Sequence, residues 1–345
     1  MNLPGHIKKL LLELFIKFQT HEKSQTALNK TISAHSQNLG VITNKPCPYF
    51  NNNPVNNEIS QRDDIVFINS RFRSGSTVLW NVFRNIDTCT AYYEPFNERR
   101  WFDKQARGEH VDTTHIGVDD YSKEYDGLEH LNLFYQEDWI RHHLFMDEQA
   151  WDPKMKAYIC ELIKSAKGRP ILQFNRIDFR LPWLKQHFPN AKFIHLYRHP
   201  RDQWFSFLTD KTLMNKDDVV NTYQDAFYLN SWCDDLAKHF PFLDSIYTPH
   251  PYQRFYYLWK LSFLYGQKFC NQSIAYETLS AEPITTLTHL FNELNIDLSY
   301  VKQAASVLEK PRLDKWKKYA DNNWFATLEA ECEHNLTTFF KEKSL

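Results

Sequence analysis

Residues 65–86 constrain this chain more than any other stretch. Ile65-Val66-Phe67-Ile68 is a β-branched and aromatic run that leads into the small-residue loop Asn69-Ser70-Arg71-Phe72-Arg73-Ser74-Gly75-Ser76-Thr77. Val78, Leu79, Val82, Phe83 and Ile86 then recur at helical spacing. Strand, loop and helix N-terminus in this order make an anion site, because free backbone N–H groups and the positive end of the helix dipole converge there. A second basic element, Arg198 to Ser206, follows another apolar run, Phe193-Ile194-His195-Leu196-Tyr197. Two anion sites at the ends of two parallel strands point to a nucleotide ligand charged at two places.

The rest of the chain fits a parallel sheet covered by helices. Short apolar runs at 65–69, 171–174, 193–197 and 273–276 are predicted strands, each separated from the next by helical patterning. In such sheets ligands bind beyond the carboxyl ends of the strands. Residues 129–167 carry helical signals with Pro153 as a break or a start, and a long helical insertion is predicted from about 219 to 272. Residues 18–60 are polar and Asn-rich, interrupted by Pro46, Pro48 and Pro54. They read as an arm rather than a domain. Before them, Lys8-Lys9-Leu10-Leu11-Leu12-Glu13-Leu14-Phe15-Ile16-Lys17 is too short and too charged to span a bilayer and reads as an amphipathic helix. The predicted organisation is therefore an amphipathic helix and polar arm over 1–60 and one folded body over 61–345.

A net charge of −1 gives no global field for nucleic acid or an acidic membrane, so any phosphate must be held by local clusters. The six cysteines, at 47, 89, 160, 233, 270 and 332, form no Cys-x-x-Cys pair and read as small hydrophobes in a reducing compartment.

The first loop is not a Walker A motif, since Gly75 is followed by Ser76 and no lysine. Without that lysine and a magnesium partner, triphosphate chemistry lacks its main charge neutralisation. Arg73 offers instead a planar, permanently charged fork for phosphate or sulfate oxygens. This equipment suits a ligand with fewer charges than ATP and no metal. In the second element Arg198 ends a strand, Pro200 starts a helix and Ser206 falls two turns later, so Arg198 can clamp a phosphate while Ser206 adds a hydroxyl. Alone, that element also reads as a capping turn whose arginine pairs with a carboxylate.

Taken in order, these motifs resemble the PAPS-dependent sulfotransferases, whose donor is 3′-phosphoadenosine-5′-phosphosulfate (PAPS). Phe72-Arg73-Ser74-Gly75-Ser76-Thr77 is similar to their 5′-phosphosulfate loop, commonly Pro-(Arg/Lys)-Ser-Gly-Thr-Thr. Arg198-His199-Pro200-Arg201-Asp202 with Ser206 is similar to their 3′-phosphate motif, preceded by Phe188-Pro189-Asn190-Ala191-Lys192. Ala275-Tyr276-Glu277-Thr278-Leu279 resembles a Tyr-Glu-Asp-Leu strand, and Lys310-Pro311 through Asp314-Lys315-Trp316 the basic C-terminal loop that closes over the nucleotide. The matches run from residue 65 to about 320, some three-quarters of the chain.

The resemblance implies an α/β, P-loop-like three-layer sandwich with a central parallel sheet flanked by helices, using no metal. PAPS would be the donor and PAP, its desulfated nucleotide, the product. Arg73, Ser74, Gly75, Ser76 and Thr77 would hold the 5′-phosphosulfate, Arg198 and Ser206 the 3′-phosphate, with Tyr276 and Lys315 as further contacts. Glu94 in Tyr92-Tyr93-Glu94-Pro95 lies 21 residues after Arg73, where a second strand would return to the same sheet edge. The resemblance to the carbohydrate and protein-tyrosine branches makes it the base that takes the acceptor's proton. A salt-bridged glutamate beside Arg99 or Arg100 is the plainer alternative. Asn175 and Arg176 occupy the place where the small-molecule branch has a histidine.

Three departures from the family pattern stand out. Phe72 replaces a proline, and Val78 stands where a tryptophan often follows, with Trp80 two residues on. Gln173 takes the place of a lysine, leaving Arg71 or Arg176 as substitutes. His142-His143 and the pair His110 and His115 lack convergent ligand spacing and read as surface or packing residues. Lys315, Lys317 and Lys318 read as a local nucleotide lid or solvated face.

The reading is sulfuryl transfer to an acceptor hydroxyl, on a saccharide or glycoconjugate, with a tyrosyl peptide or small metabolite as other acceptors. No nucleic-acid partner and no integral membrane segment are expected, and the location is a bacterial cytoplasm or that of a secreted effector. A P-loop-related nucleotide kinase and a degenerate fold used as a binding scaffold are the rival readings.

Overall fold

The computed structural model describes residues 58–115, 117–309 and 313–343, together with Ile7, Leu14 and Lys17. The amphipathic helix and arm expected over 1–60 lie outside the described residues, those three positions and 58–60 excepted, as do Lys310 and Pro311. Contacts divide the chain at residue 48, and all that follows concerns the unit Tyr49–Leu345.

Five strands form one parallel sheet: β1 (Val66–Ser70), β2 (Cys89–Tyr93), β3 (Arg169–Phe174), β4 (Lys192–Tyr197) and β5 (Gln272–Ala275), in the order β2-β3-β1-β4-β5. Four coincide, within a residue or two, with the apolar runs of the sequence. The fifth, β2, is the strand that returns before Glu94. β1 is buried at all five positions, as a continuous apolar run must be when helices cover both faces. Two polar side chains of the central strands bond to neighbours: Gln173 Nε2 donates to Ser70 Oγ at 3.2 Å, and His195 Nδ1 meets Ser273 Oγ at 2.7 Å.

The helices are α1 (Ser76–Arg84), α2 (Pro153–Ser165), α3 (Leu181–His187), α4 (Pro200–Phe207), α5 (Leu229–Leu236), α6 (Pro251–Phe269), α7 (Tyr276–Ala281), α8 (Pro283–Leu294), α9 (Val301–Ser306) and α10 (Asn322–Lys343). Pro153 starts α2, and Asp152 caps it by accepting from the Met155 N–H at 2.8 Å. Residues 129–140 make only 3₁₀ turns. The single insertion expected over 219–272 is broken into the short turn Val219–Thr222, α5 and α6. Pro249 and Pro251 enforce the last break, since proline cannot continue a helix and restricts the residue before it.

Two hydrophobic clusters organise the body. One surrounds the sheet, with Phe67, Trp80, Tyr92 and Ile171 at its centre. The other is built on α6 and gathers Trp204 of α4, Trp232 of α5 and Phe325 of α10. The second cluster anchors α4 at the carboxyl end of β4, beside the loop that leaves β1. Among the described residues no helix is long and apolar enough to cross a membrane.

Candidate functional site

The loop between β1 and α1 needs backbone geometry that few residues supply. Gly75 has φ +97°, and a Cβ there would lie 2.3 Å from Cδ2 of Tyr276, so both the turn and the close approach require glycine. Arg73 also has a positive φ of 64°, a conformation costly for a non-glycine residue and typical of functional loops. Ser74 turns inward and its hydroxyl donates to the Arg71 carbonyl at 2.7 Å. Ser76 and Thr77 open α1, where their backbone N–H groups have no intrahelical acceptor.

The structure brings the two basic elements together. Arg73 Nε donates to Ser206 Oγ at 3.2 Å, and Arg198 Nη1 donates to the Arg73 carbonyl at 3.2 Å. The Arg198 guanidinium lies over the Tyr276 ring, 5.1 Å from its centroid. Gln203 Nε2 donates to the Phe72 carbonyl at 2.8 Å, clamping α4 to the loop. Lys315 sits on the turn Lys315–Lys318, which docks on α4 because Asp202 accepts from the Asp314 and Trp316 N–H groups at 3.0 and 3.2 Å. Lys211 adds a further cation nearby: burial, then the charge of Arg73, lower its pKa. Trp80 is fully buried and donates to the Ala91 carbonyl at 2.8 Å, which commits its face to the core.

Glu94 follows β2 with φ 39° and is only 4% exposed. Its carboxylate accepts from Asn97 Nδ2 at 2.6 Å and from Asn175 Nδ2, and Arg176 Nη1 lies 3.5 Å away. These contacts leave one of about four acceptor positions of an ionised carboxylate open. Burial pushes its pKa up, against the pull of Arg176 and Asn97. The expected neighbours Arg99 and Arg100 are not its partners. Arg99 donates to the carbonyls of Arg107 and His110 at 2.6 and 2.7 Å, and Arg100 reaches Asp103 at 3.9 Å. The partner is Arg176, brought from the end of β3 because β2 and β3 are neighbours in the sheet.

Gln173 and its two proposed substitutes have other tasks. Gln173 stays within the sheet, donating to Asn175 Oδ1 at 2.8 Å. Arg71 points into the second cluster, 3.4 Å from Asp178 and 5.1 Å from the Trp232 ring centroid. Arg176 bridges Glu94 and Glu98 and stacks on Phe72.

Arg73, Thr77 and Glu94 open onto one cavity of about 310 Å³. Phe72, Tyr93, Trp101, Tyr121, Phe227 and Tyr228 wall it, and Asp112 and His115 reach into it. Asp112 lies 3.4 Å from Arg73 Nη1, and His115 Nε2 lies 3.3 Å from Thr77 Oγ1. His115 lines this cavity and packs edge-on against Tyr121, with ring centroids 5.7 Å apart. It sits on an irregular segment between β2 and α2, 38 residues from Thr77 in sequence, so no local pattern marks it.

The chain matches a family model described as the sulfotransferase family over residues 65–300. It belongs to that family, and its chemistry is sulfuryl transfer. No curated protein matches it. Solved structures to which it is similar include sulfotransferase STF9 from Mycobacterium avium, at 12% identity over 84% of this chain and 80% of that one, with a TM-score of 0.44. The sulfotransferase domain from the curacin biosynthetic pathway is similar at 17% identity, covering 81% of this chain and 98% of that one, with a TM-score of 0.38. A sulfotransferase from Alicyclobacillus acidocaldarius is similar at 13% identity, covering 80% and 93%, also with a TM-score of 0.38.

Proposed function

We propose that this sulfotransferase takes its sulfuryl group from PAPS and passes it to a hydroxyl of a saccharide or glycoconjugate, with Glu94 as the base. The observation that carries the reading is that Glu94 and the arginine-bearing loop open onto one cavity, while the same arginine reaches Ser206 of the second basic element. The acceptor oxygen attacks sulfur in line, and its proton passes to the Glu94 carboxylate. The bond from sulfur to the bridging oxygen breaks, and its electron pair leaves with PAP. Arg73 and the N–H groups of residues 74–77 stabilise the charge that develops on the leaving phosphate. Arg198 and Ser206 hold the 3′-phosphate, with Tyr276 and Lys315 beside them.

The buried position of Glu94 supports its role, since a raised pKa makes a carboxylate a better proton acceptor. Aromatic walls beside Glu98, Arg99 and Asp112 support a sugar, which presents apolar C–H faces to rings and hydroxyls to polar groups. Asp112 is the anion that Arg73 holds in this structure, and the donor's phosphosulfate takes its place. In this reading the transferase body spans 61–345.

The test is incubation with PAPS and a panel of saccharides, tyrosyl peptides and phenols, with products identified by mass spectrometry. The expected result is sulfated saccharide from the wild type and none above background from Glu94→Ala, which still binds PAP. Transfer confined to peptides or phenols overturns the acceptor class, and near-normal turnover by Glu94→Ala overturns the base.

A further inference from the structure

The Glu94 carboxylate has its closest contacts with neutral groups. Oε2 accepts from Asn97 Nδ2 at 2.6 Å, and Oε1 accepts from Asn175 Nδ2. Both amides are held from behind: Asn97 Oδ1 accepts from the Arg99 backbone N–H at 2.9 Å, and Asn175 Oδ1 from Gln173 Nε2 at 2.8 Å. A backbone N–H can only donate and a carboxylate can only accept, so the Asn97 nitrogen must face Glu94. The cation beside them stands further off. Arg176 Nη1 is 3.5 Å from Glu94 Oε2, whereas Arg176 Nη2 is 2.7 Å from Glu98 Oε2.

This unequal sharing has a physical cause. The Arg176 side chain is 1% exposed, and a guanidinium removed from water needs an anionic partner. Its central carbon lies 5.0 Å from the Phe72 ring centroid and 5.6 Å from that of Tyr228, which limits how far the group can swing. Glu98 meets it from an exposed position on the wall of the same cavity. At 2.7 Å the Glu98 contact has the length of a full charge-assisted bond, and at 3.5 Å the Glu94 contact does not. A full pair on Glu94 would stabilise its anion and make it a poorer proton acceptor.

We propose that Glu98 is a positioning residue for the base: by taking the short bond to Arg176 it holds the guanidinium away from Glu94, which is oriented by two neutral amides and left able to take the acceptor's proton. The inference rests on the proposed role of Glu94 as base. It accounts for an arginine that sits beside a base without neutralising it.

The charges around Glu94 act in the same direction. Burial raises its pKa, Arg176 and the Asn97 bond lower it, and the charge of Glu98 raises it. Tyr93 also faces Glu94, with Tyr121 and Tyr125 at longer range, and Arg73, Asp112 and His115 line the same cavity. Tyr135 and Tyr228 lie near Glu98. With the Glu98 charge removed, the attraction of Arg176 falls on Glu94, so the Glu94 pKa drops and the acidic limb of the rate profile moves to lower pH.

The experiment follows the Glu94 carboxyl by ¹³C NMR against pH in glutamate-labelled wild type, Glu98→Gln and Glu98→Asp. The resonance is assigned by its absence from Glu94→Gln. Sulfate release from PAPS to water is measured against pH on the same proteins. Glu94 is expected to titrate above an ordinary glutamate in the wild type and about one unit or more lower in Glu98→Gln. It returns toward the wild-type value in Glu98→Asp, which keeps the charge. Sulfate release by Glu98→Gln is slower, and its acidic limb moves down with the titration. An unmoved or raised titration in Glu98→Gln overturns the proposal. So does a loss of rate shared by both Glu98 variants with an unmoved limb, the mark of a merely structural role. Wild-type sulfate release by Glu94→Gln overturns instead the base reading beneath it, whatever the titration shows. If Glu98→Gln does not fold, the wild-type titration decides: a value above that of an ordinary glutamate supports the proposal, and one below it overturns it.

Discussion

The two sides of the loop at residues 70–77 are built on different principles. On the side of β4, Arg198 directly follows β4, Ser206 lies in the last turn of the short helix α4 that comes next, and Tyr276 opens α7 directly after β5. On the side of β2, Glu94, Asn175 and Arg176 come from strand ends, whereas Asp112 and His115 come from an irregular segment that has no element to fix it. The first side suits a ligand whose phosphates repeat from one protein to the next. The second suits an acceptor that differs between proteins, because irregular segments change without disturbing the sheet.

Substitutions on the two sides should separate. The largest effect is expected at Glu94: Glu94→Gln lowers kcat by about 10²–10⁴, the usual worth of a positioned base, with PAP affinity unchanged. The carboxylate must be ionised to accept a proton and its pKa is raised, so wild-type kcat falls as pH drops through a value above that of an ordinary glutamate. A pH–rate profile checks this. A smaller effect, on the other side, is expected of Arg198→Ala. Loss of one hydrogen-bonded charge costs ~1.5–3 kcal/mol, or about 10- to 150-fold in PAP affinity by calorimetry, with acceptor KM unchanged. A shift in acceptor KM instead would break the division between the sides. The smallest effect tests the contact across the cavity. Asp112→Asn removes the anion that competes for Arg73, and PAP should bind up to about fivefold more tightly, the scale of a partly exposed ion pair.

The same division explains what the sequence disclosed. The strands and the elements carrying Arg73, Arg198 and Ser206 were legible because apolar runs, glycine and a helix-starting proline act within a few residues of one another. The loop's need for glycine at 75 is local in its φ, although the ring that closes over it comes from Tyr276. Glu94 was legible only through its distance from Arg73 and a family resemblance, and its ion-pair partner was not. Arg99 and Arg100 are near in sequence, but sheet order brings Arg176 from 82 residues away. The spacing of His115 points only to a surface or packing residue, because Thr77 and Tyr121 meet it in space and no periodicity records that. The helical insertion expected over 219–272 is interrupted at Pro249 and Pro251, which act locally on the chain.

The central claim is that the loop and the Arg198 element together hold a nucleotide with a 3′-phosphate. The most direct test is calorimetric titration of PAP, 5′-AMP and ATP into the wild-type protein with and without magnesium. PAP is expected to bind tightest and without the metal, with 5′-AMP weakened by loss of the 3′-phosphate. Tighter binding of ATP that depends on magnesium, or equal binding of PAP and 5′-AMP, would contradict the account.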